Sequence, residues 1–395
     1  VHSGSGVSKI NTSTGKKESI PFSGEFEYKP AKEREYIFSH IWKQVDEKFY
    51  DPEIHGIDWE GYRETYAKFL PHIDNNFDFQ EMLSEMLGEL NGSHTGARYS
   101  YRSGYTLGTL GAFYDNDYEG DGLKIKEIIK GGALYLQHPD VKAGDMITAI
   151  NGEDIKAGED WSHMLRGKGG KKTVITVKAK GKKEQELFIE PGFTDYRQLY
   201  NRWVEQRAQM VKEMSGGRVG YVHVEGMDSE SFRRVYSDLL GKYRTCEAVI
   251  VDTRHNGGGW LHDDLATLLA GQAYIRFEPR GQYIGTEPYS KWTKPSCVLI
   301  GEDNYSDASG FPYVYKTLGI GKLIGAPVPG TMTAVWWETQ IDPSIVFGIP
   351  QVGSVGTKEG RYLENMQVEP DILIYNDPAS VLRGEDKQLE AAVKE

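Results

Sequence analysis

Ser306 and Asp307 stand in CVLIGEDNYSDASGFPY, residues 297–313. The apolar run 297–300 reads as a buried strand, and a helical pattern resumes from about Gly310 to Leu318, so Ser306 falls at a strand-to-helix joint. Two roles fit that position. A serine ahead of a helix can cap its orphan N–H groups. A serine on a tight elbow is exposed beside backbone N–H groups able to hold an oxyanion. As a nucleophile it needs a base, since a hydroxyl attacks poorly until an imidazole takes its proton. Of the ten histidines, His40 lies on an apolar helix face, His223 inside a strand and His138 before a proline. His255 and His262 flank a glycine run and stay open as bases. His94, in LNGSHTGARY, follows a helix end between small residues, where an imidazole is presented without crowding and Ser93 adds a hydroxyl. An ordinary loop histidine is the plain alternative.

The glycine run itself, Gly257, Gly258 and Gly259 in DTRHNGGG, is either a flexible strand exit or a set of N–H groups with no side chains in the way. Glu364, in GRYLENMQVEPDILI, reads alone as a solvated loop carboxylate. Cys246 and Cys297 head apolar runs and read as buried reduced thiols. Two cysteines without histidines at ligand spacing make no zinc site, and no metal or organic cofactor is expected. The formal net charge of −12 argues against a nucleic-acid partner. No apolar run approaches a membrane span.

The elements that must position these residues fall into three stretches. From about 30 to 98 the pattern is helical. Tyr36, Ile37, His40, Ile41, Val45 and Phe49 share one face of a first helix, and Met82, Leu83, Met86, Leu87 and Leu90 one face of another. From about 105 to 192 short strands alternate with Gly-rich turns, including VKAGDMITAINGEDI with an Asn151-Gly152 hairpin. From about 200 onward apolar strands alternate with helices, which argues for a largely parallel sheet. Sites in such sheets gather at the carboxyl ends of the strands, where the loops 252–259, 304–309 and 325–331 all lie. Before these, VSKINTSTGKKESIPF reads as two strands around a Thr-Gly turn.

The middle stretch resembles a PDZ domain, a module that binds extended peptides at a sheet edge; a small β-barrel spacer is the plain alternative. The resemblance would place a carboxylate-binding loop at Leu107, Gly108, Leu110 and Gly111. The order of FYDPEIHGIDW, LNGSHTG, the PDZ-like segment, VIVDTRHNGGG, NYSDASGFPY with GIGKLIGAPVPG, and GRYLENMQVEPDI resembles the tricorn core protease branch of the tail-specific, PDZ-containing serine peptidases. That family implies a multidomain α+β fold: a helical domain over 30–104, a PDZ-like β-barrel domain over 105–192 and an α/β layered, ClpP/crotonase-like catalytic domain over 193–395. Residues 1–29 would be the remnant of an upstream β-propeller or a linker.

By the same resemblance Ser306 is the nucleophile, His94 the general base, Ser93 its neighbour and Glu364 the acidic member acting through Ser93. The N–H groups of Asp307 and of one glycine among 257–259 would form the oxyanion hole. Other branches use a Ser–Lys dyad with lysine in a GxTxGK loop. Here that loop is GAPVPGT, with Thr331 about where lysine would stand, so a histidine base is required. Ala308-Ser309 stands where relatives commonly show Gly-Glu. The implied partners are peptide substrates and further copies of the chain in a homo-oligomer. The family is cytoplasmic; a periplasmic or exported location is the alternative. Two rivals of other classes remain: a non-catalytic ligand carrier on the same α/β fold, and an interaction module centred on the PDZ-like domain.

Overall fold

The computed structural model describes residues 2–3, 6–21, 23–25, 27–101, 104 and 106–395. Tyr105, at which the PDZ-like stretch is set to begin, lies outside the described residues. The chain divides into two compact units: residues 1–91, 95–100 and 336–349, and residues 92–94, 101–335 and 350–395.

In the first unit, Gly6–Ile10 pairs antiparallel with Lys17–Ile20 around the Asn11–Lys16 turn, and with His2–Ser3 on its other side. Three helices follow. Pro30–Lys48 opens on a proline, whose missing N–H costs nothing in a first turn. Trp59–Ala67 is capped by Asp58, and Asn76–Gly88 by the Asn75 side chain, which accepts from the N–H groups of Phe77 and Asp78. Ile37, Ile41, Val45, Leu83, Met86, Leu87 and Leu90 are buried together, but Phe38 turns inward where Tyr36 was expected. Tyr36 is exposed, and His40 is tied to Glu338 at 2.5 Å. Gly96–Tyr99 pairs antiparallel with residues 345–348 and closes this core.

The second unit is built on two larger sheets, with a small antiparallel hairpin, Ile275–Phe277 with Gly285–Glu287, beyond them. In the larger antiparallel sheet, the strands run in the order Gln185–Ile189, Thr173–Lys178, Met146–Ile150, Leu123–Ile128, Ala112–Tyr114. Asn151 and Gly152, both at positive φ (50° and 79°), make the two-residue turn that pairs Ile150 with Glu153.

The other sheet is parallel. Its strands β1 (Val219–His223), β2 (Ala248–Asp252), β3 (Ser296–Ile300), β4 (Lys322–Gly325) and β5 (Ile372–Leu373) lie in chain order. Side chains alternate between its faces as the strand period of two requires. Val249, Val251, Val298, Ile300 and Leu323 pack under helices α2 (His262–Leu269) and α3 (Asp307–Thr317). Tyr221, Ile250, Cys297, Leu299 and Ile324 pack against α1 (Tyr196–Met214) and α4 (Lys387–Lys394). Both cysteines are free; Cys297 is buried and its thiol pushed up to about 12 by burial, whereas Cys246 is only half-buried.

The α3 helix begins at Asp307, three residues ahead of the apolar pattern. Pro312 inside it lacks the N–H that would reach the Ala308 carbonyl. Asn304, fully buried, donates its side-chain amide to that carbonyl at 3.2 Å instead, so the break is repaired locally. Ala308 and Ser309 are buried in the first turn, and Ser309 Oγ bonds the Pro329 carbonyl.

Candidate active site

The carboxyl ends of β2, β3 and β4 feed loops that are stitched together. The Tyr305 N–H donates to the Asn256 carbonyl at 3.1 Å, and the Ser306 N–H to Thr331 Oγ1 at 2.8 Å. Asn256 is fully buried; its side chain donates to the Val224 carbonyl at 2.8 Å and accepts from the Gly258 N–H at 2.9 Å. The glycine run is thereby fixed in shape.

Ser306 does not cap its helix through its side chain. It has φ 57° and ψ −125°, and its hydroxyl makes no capping bond. Its carbonyl instead accepts from the N–H groups of Ser309 and Gly310, at 2.8 and 3.1 Å. A non-glycine residue in that region costs about 1–3 kcal/mol, tolerated where the surroundings over-determine it. Here Thr331 holds its N–H and Gly258 lies against it. A Cβ on Gly258, whose φ is +101°, would fall 2.5 Å from Ser306 Cβ and 2.7 Å from the Tyr305 carbonyl oxygen. Glycine is required there for close approach.

His94 is brought to this cluster from a distant part of the chain. Its N–H donates to Tyr305 Oη at 2.7 Å, and its ring meets the Tyr305 ring at a 51° tilt, 4.9 Å between centroids. Nδ1 sits 2.8 Å from Ser93 Oγ and 3.0 Å from Thr333 Oγ1, with the two hydroxyls 2.9 Å apart. Burial holds the imidazole below its ordinary pKa. Glu364 is buried, not solvated. Its carboxylate accepts from the Ser93 N–H at 2.5 Å and the Met332 N–H at 2.7 Å. It therefore meets the backbone beside each hydroxyl, where a link through the Ser93 side chain was expected.

Asp307 places its N–H at the first position of α3, where no preceding turn supplies an acceptor. Among the described residues, the N–H groups of Gly257 and Gly259 also have no acceptor within the chain, while that of Gly258 is taken by Asn256. The two histidines left open by pattern each commit Nδ1 to a carboxylate: His255 to Asp303 at 2.5 Å, and His262 to Asp307. Each bond lifts its imidazole above the ordinary value. Leu107 is exposed and Leu110 buried. The Gly108 N–H donates to the Leu165 carbonyl at 2.9 Å and the Gly111 N–H to Thr109 Oγ1 at 3.1 Å, so this loop spends two of its donors internally. No cluster of metal-ligating side chains occurs among the described residues, and no helix there is long and apolar enough to cross a membrane.

Ser93, His94, Ser306 and Glu364 thus come together with Tyr305, Thr331 and Thr333. Sequence reasoning missed the roles of those last three. Thr331 was visible only as the place without a lysine, and Thr333 opens a strand whose pattern carries no chemical signal.

Three family models match: the tricorn protease C1 domain over residues 30–88, the tricorn protease PDZ domain over 108–191 and peptidase family S41 over 218–374. Tricorn protease homolog 1 of Streptomyces coelicolor is 26% identical over 92% of the chain, and the tricorn protease of Thermoplasma volcanium 24% identical over 91%. The chain spans only 35% and 36% of those two relatives. A crystal structure of the tricorn protease superposes with TM-score 0.84 at 22% identity, covering 96% of this chain and 38% of that one, and shows the same fold. The structure of mature CPAF complexed with lactacystin superposes more loosely, with TM-score 0.53 at 13% identity, over 92% of this chain and 98% of that one. The fold around Ser306, the tricorn C1 and PDZ segments and the S41 segment lead to one assignment: the chain belongs to the tricorn branch of the tail-specific, PDZ-containing serine peptidases.

Proposed function

We propose that the chain hydrolyses peptide bonds through an acyl-enzyme on Ser306, with His94 as general base. The observation that carries this reading is the serine itself: a strained, positive-φ residue at a helix start whose hydroxyl does no capping. His94 Nε2 takes the Ser306 proton as Oγ attacks the scissile carbonyl, then returns it to the leaving amine; water repeats the cycle on the ester. Ser93 and Thr333 hold Nδ1–H and so keep Nε2 free as the base. The tetrahedral oxyanion is met by the Asp307 N–H and by Gly257 or Gly259, since the Gly258 N–H is already bonded. Glu364 acts by fixing the backbone at Ser93 and at Met332, the residue before Thr333.

Substrates on this reading are peptides or unfolded chains, and the functional assembly is a homo-oligomer. The parallel sheet with helices on both faces supports a crotonase-like layering for residues 193–395, beside a helical domain over 30–104 and a PDZ-like barrel over 105–192. The small antiparallel sheet of His2–Ser3, Gly6–Ile10 and Lys17–Ile20 supports reading this stretch as propeller strands or a linker. The engaged N–H groups of Gly108 and Gly111 weigh against a function centred on carboxylate capture by the PDZ-like loop.

A fluorophosphonate probe followed by peptide mapping tests the assignment. The label should land on Ser306 and vanish in Ser306→Ala and His94→Ala. Labelling elsewhere, or none with intact protein, would overturn it.

A further inference from the structure

Asp307 contributes more than an N–H. Its carboxylate points to the neighbouring helix, where Oδ2 accepts from the Leu261 N–H at 2.5 Å and the His262 N–H at 3.0 Å, and Oδ1 meets His262 Nδ1. Leu261 precedes α2 and has no side chain able to cap it. Asp307 therefore caps a helix other than its own, at the positive end of that helix's dipole. The residues just before are pinned as well: the Met227 N–H donates to the Gly258 carbonyl at 3.0 Å, and the Trp260 N–H to the Met227 carbonyl at 2.7 Å. The segment from Gly257 to His262 is thus fastened at two points, and one of them is the side chain next to Ser306.

That arrangement has an electrostatic cost. A buried carboxylate one residue from the nucleophile opposes negative charge developing on the oxyanion. Uncompensated, an effect of this kind amounts to about ten- to a hundredfold in rate. His262 is placed to remove it.

Resting on the peptidase reading above, we propose that Asp307 and His262 form a positioning pair: the carboxylate clamps the glycine loop against Ser306, and the imidazolium cancels that carboxylate's charge beside the oxyanion.

The groups facing His262 favour its protonated form. Asp307 reaches it from α3, Asp263 and Asp264 lie on its own helix, and the Trp260 ring meets it edge-on at 5.6 Å. The bond to Asp307 is the largest influence raising its pKa; burial opposes, and the coulombic pull of the three carboxylates adds to the rise. A raised value keeps the charge to higher pH than an ordinary imidazole would and loses it as pH climbs through that value, so the clamp is neutralised on the acid side and opposes the oxyanion on the alkaline side.

Two measurements on the full chain decide the matter. The first follows kcat and KM on a fluorogenic peptide from about pH 5 to pH 9 in the wild type and in His262→Gln. The wild type should show a falling alkaline limb in kcat, and His262→Gln should lack that limb, with kcat lowered about tenfold or more at pH 6 and KM little changed. The second follows amide hydrogen exchange at Leu261 and His262 in Asp307→Ala and Asp307→Asn, both carried in Ser306→Ala protein. Protection should fall in Asp307→Ala and return in Asp307→Asn, whose amide oxygen can still accept both N–H groups. Identical pH profiles for the wild type and His262→Gln would overturn the charge role, and unchanged protection in Asp307→Ala would overturn the clamp. A wild-type chain that turns over no peptide would defeat the peptidase reading and the charge role with it, while exchange still decides the clamp.

Discussion

Ser93 and Thr333 make an unusual claim testable, because two hydroxyls serve one ring nitrogen. Nδ1 of His94 lies 2.8 Å from one and 3.0 Å from the other, and the His94 and Thr333 side chains are buried. When His94 is the neutral base, the Nδ1–H needs one acceptor; when it holds the serine proton, that need becomes stronger. Removing either hydroxyl leaves the other in place. A neutral hydrogen bond is worth about 0.5–1.5 kcal/mol net, so Ser93→Ala or Thr333→Val alone should lower kcat/KM by only about two- to tenfold. Removing both strands a buried N–H beside a developing positive charge. That costs the desolvation of the group, about 1–3 kcal/mol beyond the lost bonds. The double variant should therefore fall by about 10²- to 10³-fold, more than the product of the singles, a coupling of the kind seen for contacting residues.

The assay is kcat/KM of the four proteins on one fluorogenic peptide, with denaturant midpoints confirming that each remains folded. A double variant equal to the product of its singles would show that the two hydroxyls act independently. A double variant no slower than the worse single would show that only one of them touches the working tautomer. Either result refutes the shared-acceptor argument.

Other perturbations follow from the same geometry. His94→Ala should lower the rate of Ser306 acylation by about 10³-fold or more, and unchanged labelling by a fluorophosphonate would move the base elsewhere. Thr331→Val strands the Ser306 N–H and should cost about ten- to a hundredfold in kcat at nearly constant KM, with Thr331→Ser restoring the rate; a wild-type rate for valine would show that the nucleophile does not need this tether. The acid limb of kcat/KM should lie below about pH 6.5, because burial lowers the His94 pKa and the ring stays an unprotonated base to more acidic pH; a limb above that value would contradict the assignment. Glu364→Gln keeps one acceptor but turns an amide N–H toward a backbone N–H, so turnover on a peptide substrate should fall about 10²- to 10³-fold, less than in Ser306→Ala; wild-type turnover would reduce Glu364 to a structural residue.

What could be read beforehand follows the physics of each signal. Helices with strong apolar periodicity, such as the one carrying Leu83, Met86 and Leu87, were legible because burial on one face writes itself into the spacing. The strand and loop positions of the parallel sheet were legible from apolar runs broken by glycine. Tyr36 was placed on the inner face in the stead of Phe38 because both are large aromatics only two residues apart, and packing decides which of the two faces inward. The start of α3 was missed because Asp307, Ala308 and Ser309 offer no apolar pattern, although all three are buried. Thr331 and Thr333 were illegible for another reason. A threonine hydroxyl gains its role from a neighbour supplied by the fold, and Ser93 and Thr333 lie 240 positions apart. Burial of Glu364 was hidden in the same way, since its two acceptors are spent on backbone groups that leave no trace in side-chain identity.

The two carboxylates of the site share a feature that bears on how it works. Glu364 and Asp307 both accept backbone N–H groups, and among the described residues the hydrogen-bond partners of the His94 ring are the hydroxyls of Ser93 and Thr333. A carboxylate bonded directly to a catalytic imidazole stabilises its charged form and raises its pKa. Here the partners of Nδ1 are hydroxyls, which orient the ring without a full counter-charge, and burial draws the pKa down. The acids act instead on geometry: one fixes the peptide groups beside Ser93 and Thr333, the other the loop beside Ser306. Electrostatic support in such a site has to come from N–H groups and helix ends already in place before reaction. Positional errors are then costly, which is why glycine is demanded at 258 and why Ser306 is held at a φ that an unconstrained serine would leave.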